Sequence, residues 1–151
     1  MEYQVIQFEA YLLAQKRVAN NTVVSYMNDI HQLINFLKFL KKNDLESTTL
    51  NDLKSFLKFL KEKQNLSARS MARKISSIKI FFKFLQQNYN ITNFSTELGF
   101  PKIEKKLPSY LNEDEVEKLL DSVKKNKTDV GVRNKIMLYL LYTTGMRISE
   151  L

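Results

Sequence analysis

The chain has only three glycines and two prolines, and all five lie after residue 98. These residues are the ones that most often interrupt helices. Through the first ninety residues, apolar side chains recur at intervals of three and four, which is the spacing that turns one stripe of a helix toward a core. No segment alternates apolar and polar residues as a half-buried strand does. The sequence therefore predicts an all-α protein.

Four helices are predicted in the first part of the chain, joined by short connections, which indicates a compact bundle. Thr49 followed by Asp52 is an acidic variant of the capping box and predicts the start of the third helix, and Ser67 is suited to cap the fourth. The predicted helices span about residues 3–16, 22–41, 50–63 and 68–88.

A second, smaller part follows a segment with weak periodicity, in which Pro101 and Pro108 bracket a charged stretch. Beyond it, Asn112 is suited to cap one helix, and another is predicted from about Val130 to Thr143, before the left-handed position suited to Gly145. The predicted organisation is a helical domain at residues 1–93, a linker at 94–108 and the start of a second domain at 109–151.

The formal net charge of +8 lies entirely in the first part of the chain, because residues 109–151 carry seven basic and seven acidic side chains. Nine cations stand between Lys54 and Lys83, with Glu62 as the only acidic residue among them. Such a cluster attracts a polyanion, and duplex nucleic acid is the commonest one. A lysine-rich but merely solvated surface is the alternative.

The composition argues against several other classes of protein. The chain has no cysteine, which excludes disulfides and thiolate metal sites. No uncharged apolar run reaches the ~18 residues that a membrane span needs. His31 is the only histidine and is predicted to lie at a boundary or on the surface of a helix. We expect a soluble cytoplasmic protein with no metal, no cofactor and no membrane partner.

The fourth predicted helix offers a candidate surface for reading DNA, opposite its apolar stripe. Ser70, Arg73, Lys74 and Ser77 are spaced so that they share one face, and Arg69 and Lys79 flank it. Arginine and lysine bind phosphates or guanine edges, and small hydroxyl residues let a helix approach the backbone closely. An ordinary solvated helix face explains the pattern about equally well.

The last nine residues, TTGMRISEL at 143–151, resemble the first catalytic-arginine motif of tyrosine recombinases, the phage integrase and Xer family. The segments 21–30, 66–85 and 107–120 are similar, in the same order, to the Thr-x-x-x-Tyr helix start, a DNA-binding helix and the opening of the catalytic domain in that family. The resemblance implies a four-helix, SAM-like core-binding domain, a linker and the first helices of an incomplete catalytic domain.

The resemblance also implies roles for particular residues. It assigns Arg147 as a catalytic arginine that grips the scissile phosphate, supported by Glu150; a surface pair between these two residues is the plain alternative. It places Thr22, Ser25 and Tyr26 near DNA. The family's later motifs, including its tyrosine nucleophile, are absent from these 151 residues. We therefore expect an amino-terminal fragment that binds DNA without cutting it.

The parent reaction implied by the resemblance is site-specific DNA recombination through a 3'-phosphotyrosine, in DNA integration or chromosome partition. Its partners would be a double-stranded recombination site and other recombinase subunits in a tetrameric synapse. Two alternatives stay open: a stand-alone helical DNA-binding regulator derived from a recombinase, and a lysine-rich helical interaction module that never meets DNA.

Overall fold

The computed structural model describes residues 1–14, 16, 18–104, 107–123 and 128–151. These residues form two compact units, 1–104 and 105–151. Every regular element in the described ranges is helical, which confirms the all-α prediction. None of the helices described is long and apolar enough to cross a membrane.

The described residues of the first unit form four α-helices and one short 3₁₀ helix. Helix α2 contacts the other three α-helices, and α4 contacts α1 and α2. The helices are α1 (Glu2–Ala14), α2 (Asn20–Phe39), α3 (Leu50–Gln64) and α4 (Ala68–Tyr89), and the 3₁₀ helix is Phe94–Glu97. All four predicted helices are present, and each end lies within two residues of its predicted position.

Phenylalanine side chains form much of the core of this first unit. Phe81 and Phe82 of α4 are fully buried, and so are Phe8 of α1 and Phe56 of α3. The ring of Phe8 stands edge-on to that of Phe81, with 5.0 Å between centroids, an arrangement that the charge distribution of aromatic rings favours. The core therefore fixes α4 against α1, and α4 in turn carries the polar residues described below.

The predicted linker differs from the structure at its first residues. Residues 94–97 form the 3₁₀ helix, Ser95 and Leu98 are buried, and Asn93 caps the helix by accepting a hydrogen bond from the Ser95 backbone N–H at 3.1 Å. The first unit thus extends to residue 104. Three or four residues are too few to show a helical period in the sequence, so this addition to the core was missed.

The predicted capping box at the start of α3 is present. The Thr49 hydroxyl accepts a hydrogen bond from the Asp52 backbone N–H at 3.3 Å, and the Asp52 carboxylate accepts one from the Thr49 backbone N–H at 2.8 Å. Lys42 lies 3.2 Å from the same carboxylate. Burial raises the pKa of Asp52, but its bonds to Thr49 and Lys42 outweigh burial and leave the pKa below its ordinary value.

This capping box gives a pH-dependent prediction. Replacing Asp52 with alanine removes the carboxylate half of the capping box and its pair with Lys42, and should lower the free energy of unfolding at pH 7 by about 1 kcal/mol. Because the folded state lowers the pKa of Asp52, its contribution is complete above the unfolded pKa of about 3.9 and is lost as the pH falls through the folded value. Urea titrations at pH 7 and pH 2 measure this difference.

The control for that prediction is Glu46→Ala, which removes an exposed carboxylate from the preceding turn. We expect Glu46→Ala to change the unfolding free energy by less than about 0.5 kcal/mol at either pH. A destabilisation by Asp52→Ala that is equally large at pH 2 would contradict an ionised carboxylate as its cause.

In the second unit, residues 107–123 and 128–151 form two α-helices and a 3₁₀ turn. Helix α5 is Glu113–Ser122, α6 is Asp129–Thr144, and the 3₁₀ turn is Ile148–Glu150. Asn112 and Glu115 form a second capping box, with both hydrogen bonds at 2.9 Å. The predicted helices of the second part are therefore confirmed.

Candidate nucleic-acid interface and arginine motif

A buried carboxylate on α2, Asp29, joins the polar residues of α4. Its side chain is only 2% exposed. One carboxylate oxygen, Oδ1, accepts a hydrogen bond from Lys74 Nζ at 2.8 Å. The other, Oδ2, accepts hydrogen bonds from Arg73 Nη1 and from Ser77 Oγ, the latter at 3.2 Å. Three residues that the sequence assigned to one face of α4 therefore meet a single group on α2.

The exposed position predicted for Lys74 and Ser77 is wrong. Lys74 is 3% exposed and Ser77 is fully buried. The physical reason is that their face of α4 turns toward α2, where Asp29 compensates the lysine charge and Gln32 Oε1 accepts a second hydrogen bond from Lys74 Nζ at 2.7 Å. The single hydroxyl proton of Ser77 is shared between Asp29 Oδ2 and the Lys74 backbone carbonyl, whose oxygen lies 2.9 Å from Oγ. Lys74 and Ser77 therefore lie behind the surface, where both donate to Asp29.

Arg73 is the member of this cluster that reaches solvent, with a side chain 43% exposed. Its Nη1 donates to Asp29 and also to the backbone carbonyl of Ser25, at 3.1 Å. Two predicted DNA-binding residues, separated by 48 positions in the sequence, are thus brought together. Within the described residues, Nε and Nη2 of Arg73 have no hydrogen-bond partner. An arginine with fixed position and free donors is suited to bind a phosphate.

The remaining predicted DNA-binding residues occupy varied positions. Thr22 and Tyr26 are half-buried on the same helix as Ser25, and Arg69 is exposed in the first turn of α4. The backbone N–H of Ser70, also in that turn, donates to the capping hydroxyl of Ser67 at 3.2 Å.

Lys79 faces the end of the first unit. Its Nζ donates to the Thr96 backbone carbonyl at 3.4 Å and lies 4.7 Å from the centre of the Phe100 ring.

Sequence reasoning missed Asp29 and Gln32. A signal for Asp29 was nonetheless present, because it lies between Tyr26 and Leu33 on the apolar side of α2, next to the buried Ile30. A charged residue beside a buried stripe is rarely tolerated without a partner of opposite charge. The cationic residues of α4 were the available partners.

The predicted arginine motif has a defined geometry. Helix α6 ends at Gly145, whose φ of 66° is the left-handed conformation that glycine adopts without strain. Glu150 then accepts two hydrogen bonds from Arg147, one from its backbone N–H at 2.8 Å and one from Nη1 at 3.0 Å. These bonds, the backbone one first, lower the pKa of Glu150. The Arg147 side chain remains 82% exposed.

The arrangement at Arg147 resembles that at Arg73, because in both a carboxylate holds a guanidinium whose other donors stay accessible. Such a group can bind a phosphate oxygen and stabilise negative charge, but it supplies no nucleophile or proton-transfer group. His31 is exposed on α2. No group of three or more His, Cys, Asp or Glu side chains among the described residues has the arrangement of a metal site.

Two family models match most of the chain. Residues 5–88 match the phage integrase N-terminal SAM-like domain, and residues 109–151 match the phage integrase family. The first match covers nearly all of the four helices of the first unit. Two of these helices, α2 and α4, carry the Asp29 cluster, which consists of Asp29, Arg73, Lys74 and Ser77. The second match ends on the arginine motif.

Known proteins with similar sequences include tyrosine recombinase XerC of Herpetosiphon aurantiacus, which is 38% identical over 100% of this chain and 49% of its own length. Tyrosine recombinase XerD of Oceanobacillus iheyensis is 39% identical over 100% of this chain and 50% of its own length. The chain thus spans about half the length of these relatives.

The fold is similar to that of a solved XerA recombinase crystal structure, with a TM-score of 0.53. That likeness covers 83% of this chain and 41% of the XerA chain, at 21% sequence identity. The family match over both units, together with the whole-chain relatives, leads to one assignment. The chain belongs to the phage integrase family of tyrosine recombinases, as its terminal arginine motif predicted.

Proposed function

We propose that this chain supplies the DNA-binding helical domain and one catalytic arginine of a site-specific tyrosine recombinase. The DNA-binding part of this proposal rests on one observation: the exposed guanidinium of Arg73 is fixed beside Ser25, where α2 contacts α4. Phosphate contacts from such fixed donors set the position of a protein on duplex DNA.

The charge of the first unit supports the same proposal. Several exposed cations of α3 and α4 form no ion pair with any residue that the structure describes, so their charge is available to a polyanion. They are Lys54, Lys61, Lys63, Arg69 and Lys83. The family matches and the recombinase relatives that align with the whole chain favour a recombinase over a stand-alone helical DNA-binding regulator derived from one.

The parent reaction, its partners and its location belong to the same proposal. Recombinase relatives support a role in cutting and rejoining DNA, in which this chain would act beside a tyrosine nucleophile located outside these 151 residues. The family resemblance further implies other recombinase subunits in a tetrameric synapse and action on DNA in the cytoplasm.

DNA binding tests the first half of this proposal. We expect the chain to bind duplex DNA with an affinity that falls steeply with salt, and Arg69→Ala/Arg73→Ala to weaken binding about tenfold or more at low salt. If each arginine contacts one phosphate, the slope of log K against log salt should become shallower by about two. Fluorescence anisotropy of a labelled duplex across a salt series measures both quantities.

A matched control removes two exposed lysines outside α4, Lys38 in the last turn of α2 and Lys102 after the 3₁₀ helix. Lys38→Ala/Lys102→Ala removes the same number of charges, and Lys38 pairs with Glu2 at 2.9 Å in the last turn of α2. We expect this control to leave the salt slope within about half a unit of the parent. Equal losses in the two double variants would mean that net charge alone drives binding and that the Arg73 face is not the contact surface.

A further inference from the structure

The buried carboxylate of Asp29 has two cationic partners, one more than its single negative charge requires. Lys74 by itself balances the single negative charge, yet Arg73 binds the same carboxylate, so the three groups together keep one excess positive charge. Lys74 is buried with Asp29, whereas Arg73 reaches the surface. The excess positive charge is therefore presented where a DNA phosphate can approach.

We infer that Asp29 is a positioning residue for DNA binding, which fixes the Arg73 guanidinium so that its free donors meet a phosphate. This inference rests on the proposed DNA-binding function. Nη1 of Arg73 donates both to Asp29 Oδ2 and to the Ser25 backbone carbonyl, so two acceptors on α2 hold the same nitrogen. Two acceptors on one nitrogen define the orientation of the planar fork.

An arginine that is ordered before binding loses less conformational freedom when it meets its ligand, so its contact is stronger than that of a freely rotating side chain. Lys74 and Ser77 keep the carboxylate itself in place from inside, through bonds of 2.8 and 3.2 Å. The packing of α2 against α4 thus fixes the buried side chains, and these in turn fix one exposed guanidinium.

A positioning role for Asp29 predicts that its removal changes DNA affinity in the direction opposite to that expected from Coulomb attraction alone. Removing a negative charge from a DNA-binding surface should strengthen binding by Coulomb attraction alone. If Asp29 positions Arg73, removing it should weaken binding, because the lost order outweighs the added charge. A single Asp29 variant leaves Lys74 buried without its partner, so the comparison is made in chains that carry Lys74→Met.

The test compares Lys74→Met with Asp29→Leu/Lys74→Met, each with and without Arg73→Ala, by anisotropy with a labelled duplex at low salt. Apolar residues can replace a buried ion pair without loss of the fold. Circular dichroism melts verify the fold of all four chains, including Lys74→Met/Arg73→Ala, in which Ser77 is the side chain among the described residues that still donates to the Asp29 carboxylate. With Arg73 present, we expect Asp29→Leu to weaken binding about threefold to tenfold. With Arg73→Ala, we expect no weakening or a small strengthening.

The outcomes separate the inference from the proposed function. Weakening by Asp29→Leu that is equally large with Arg73→Ala would show a general structural effect and overturn the positioning role. Strengthening in the presence of Arg73 would do the same. If Arg73→Ala leaves both affinity and salt slope unchanged, the proposed interface itself fails. If Arg73→Ala weakens binding while Asp29→Leu does not, only the positioning role fails.

Discussion

Replacing Arg147 with alanine should lower the rate of DNA strand cleavage by at least about a hundredfold in a recombinase that contains this chain. The proposed role is to bind the non-bridging oxygens of the scissile phosphate, where charge develops as the nucleophile attacks. Arg147 is suited to it because Glu150 fixes one edge of its guanidinium, through Nη1 at 3.0 Å, while the side chain stays 82% exposed. DNA affinity should change by less than about tenfold.

The measurement uses a nicked suicide substrate, on which cleavage traps a covalent protein–DNA adduct. The reacting protein is a chimera of this chain with the remaining catalytic segment of a tyrosine recombinase relative. Arg133→Ala is the matched control, because it removes an exposed arginine from α6 whose only hydrogen bond within the described residues is a 3.5 Å contact to Asn134. We expect the control to retain its cleavage rate within about threefold.

Conservative variants sharpen this test. Arg147→Lys keeps the charge but loses the planar fork, so it should recover only a small part of the rate. Glu150→Gln keeps most of the shape and should have a smaller effect than Arg147→Ala, since it loosens the guanidinium without removing it. Adduct formation by the 151-residue chain alone, or a normal rate for Arg147→Ala, would contradict the proposed division of roles.

Local sequence was a reliable guide wherever the determining interactions are local. The capping boxes at Thr49 and Asn112 join residues three positions apart, and so does the pair of Arg147 with Glu150. Glycine at position 145 ends α6 in the left-handed conformation that its place in the motif predicted. Each of these features is fixed by residues within one helical turn, so the order of residues is enough to predict it.

Tertiary contacts explain what the sequence did not predict. Asp29 and Arg73 are 44 positions apart, and only the packing of α2 on α4 brings them together. Lys74 and Ser77 were assigned to the exposed face because polar residues opposite an apolar stripe usually meet water. That rule fails when a neighbouring helix carries a complementary charge, since a buried ion pair then replaces solvation.

The Asp29 cluster should also produce large and unequal changes in stability. Asp29→Leu leaves Lys74 buried without a counter-charge, which should lower the unfolding free energy by about 3–5 kcal/mol. Lys74→Met should cost less, about 1–2 kcal/mol, because Arg73 still compensates Asp29 and Ser77 still donates to it. The double variant, which carries neither buried charge, should regain most of the stability lost by Asp29→Leu.

Urea denaturation followed by circular dichroism measures this double-mutant cycle. The comparison requires that the unfolding free energy of every variant falls with urea concentration at the same slope. Glu9→Leu is the control, because Glu9 is an exposed carboxylate on α1 that forms no ion pair with the described residues; it should change stability by less than about 0.5 kcal/mol. Equal costs for the two single variants would mean that Arg73 gives Asp29 no compensation. A double variant no more stable than Asp29→Leu would mean that lost packing, not an uncompensated lysine, causes the damage. The unequal costs follow from the geometry, because one carboxylate has two cationic partners. Arg73 is partly solvated by water, whereas Lys74 is buried and, among the described residues, keeps only its hydrogen bond to Gln32 Oε1 when Asp29 is lost.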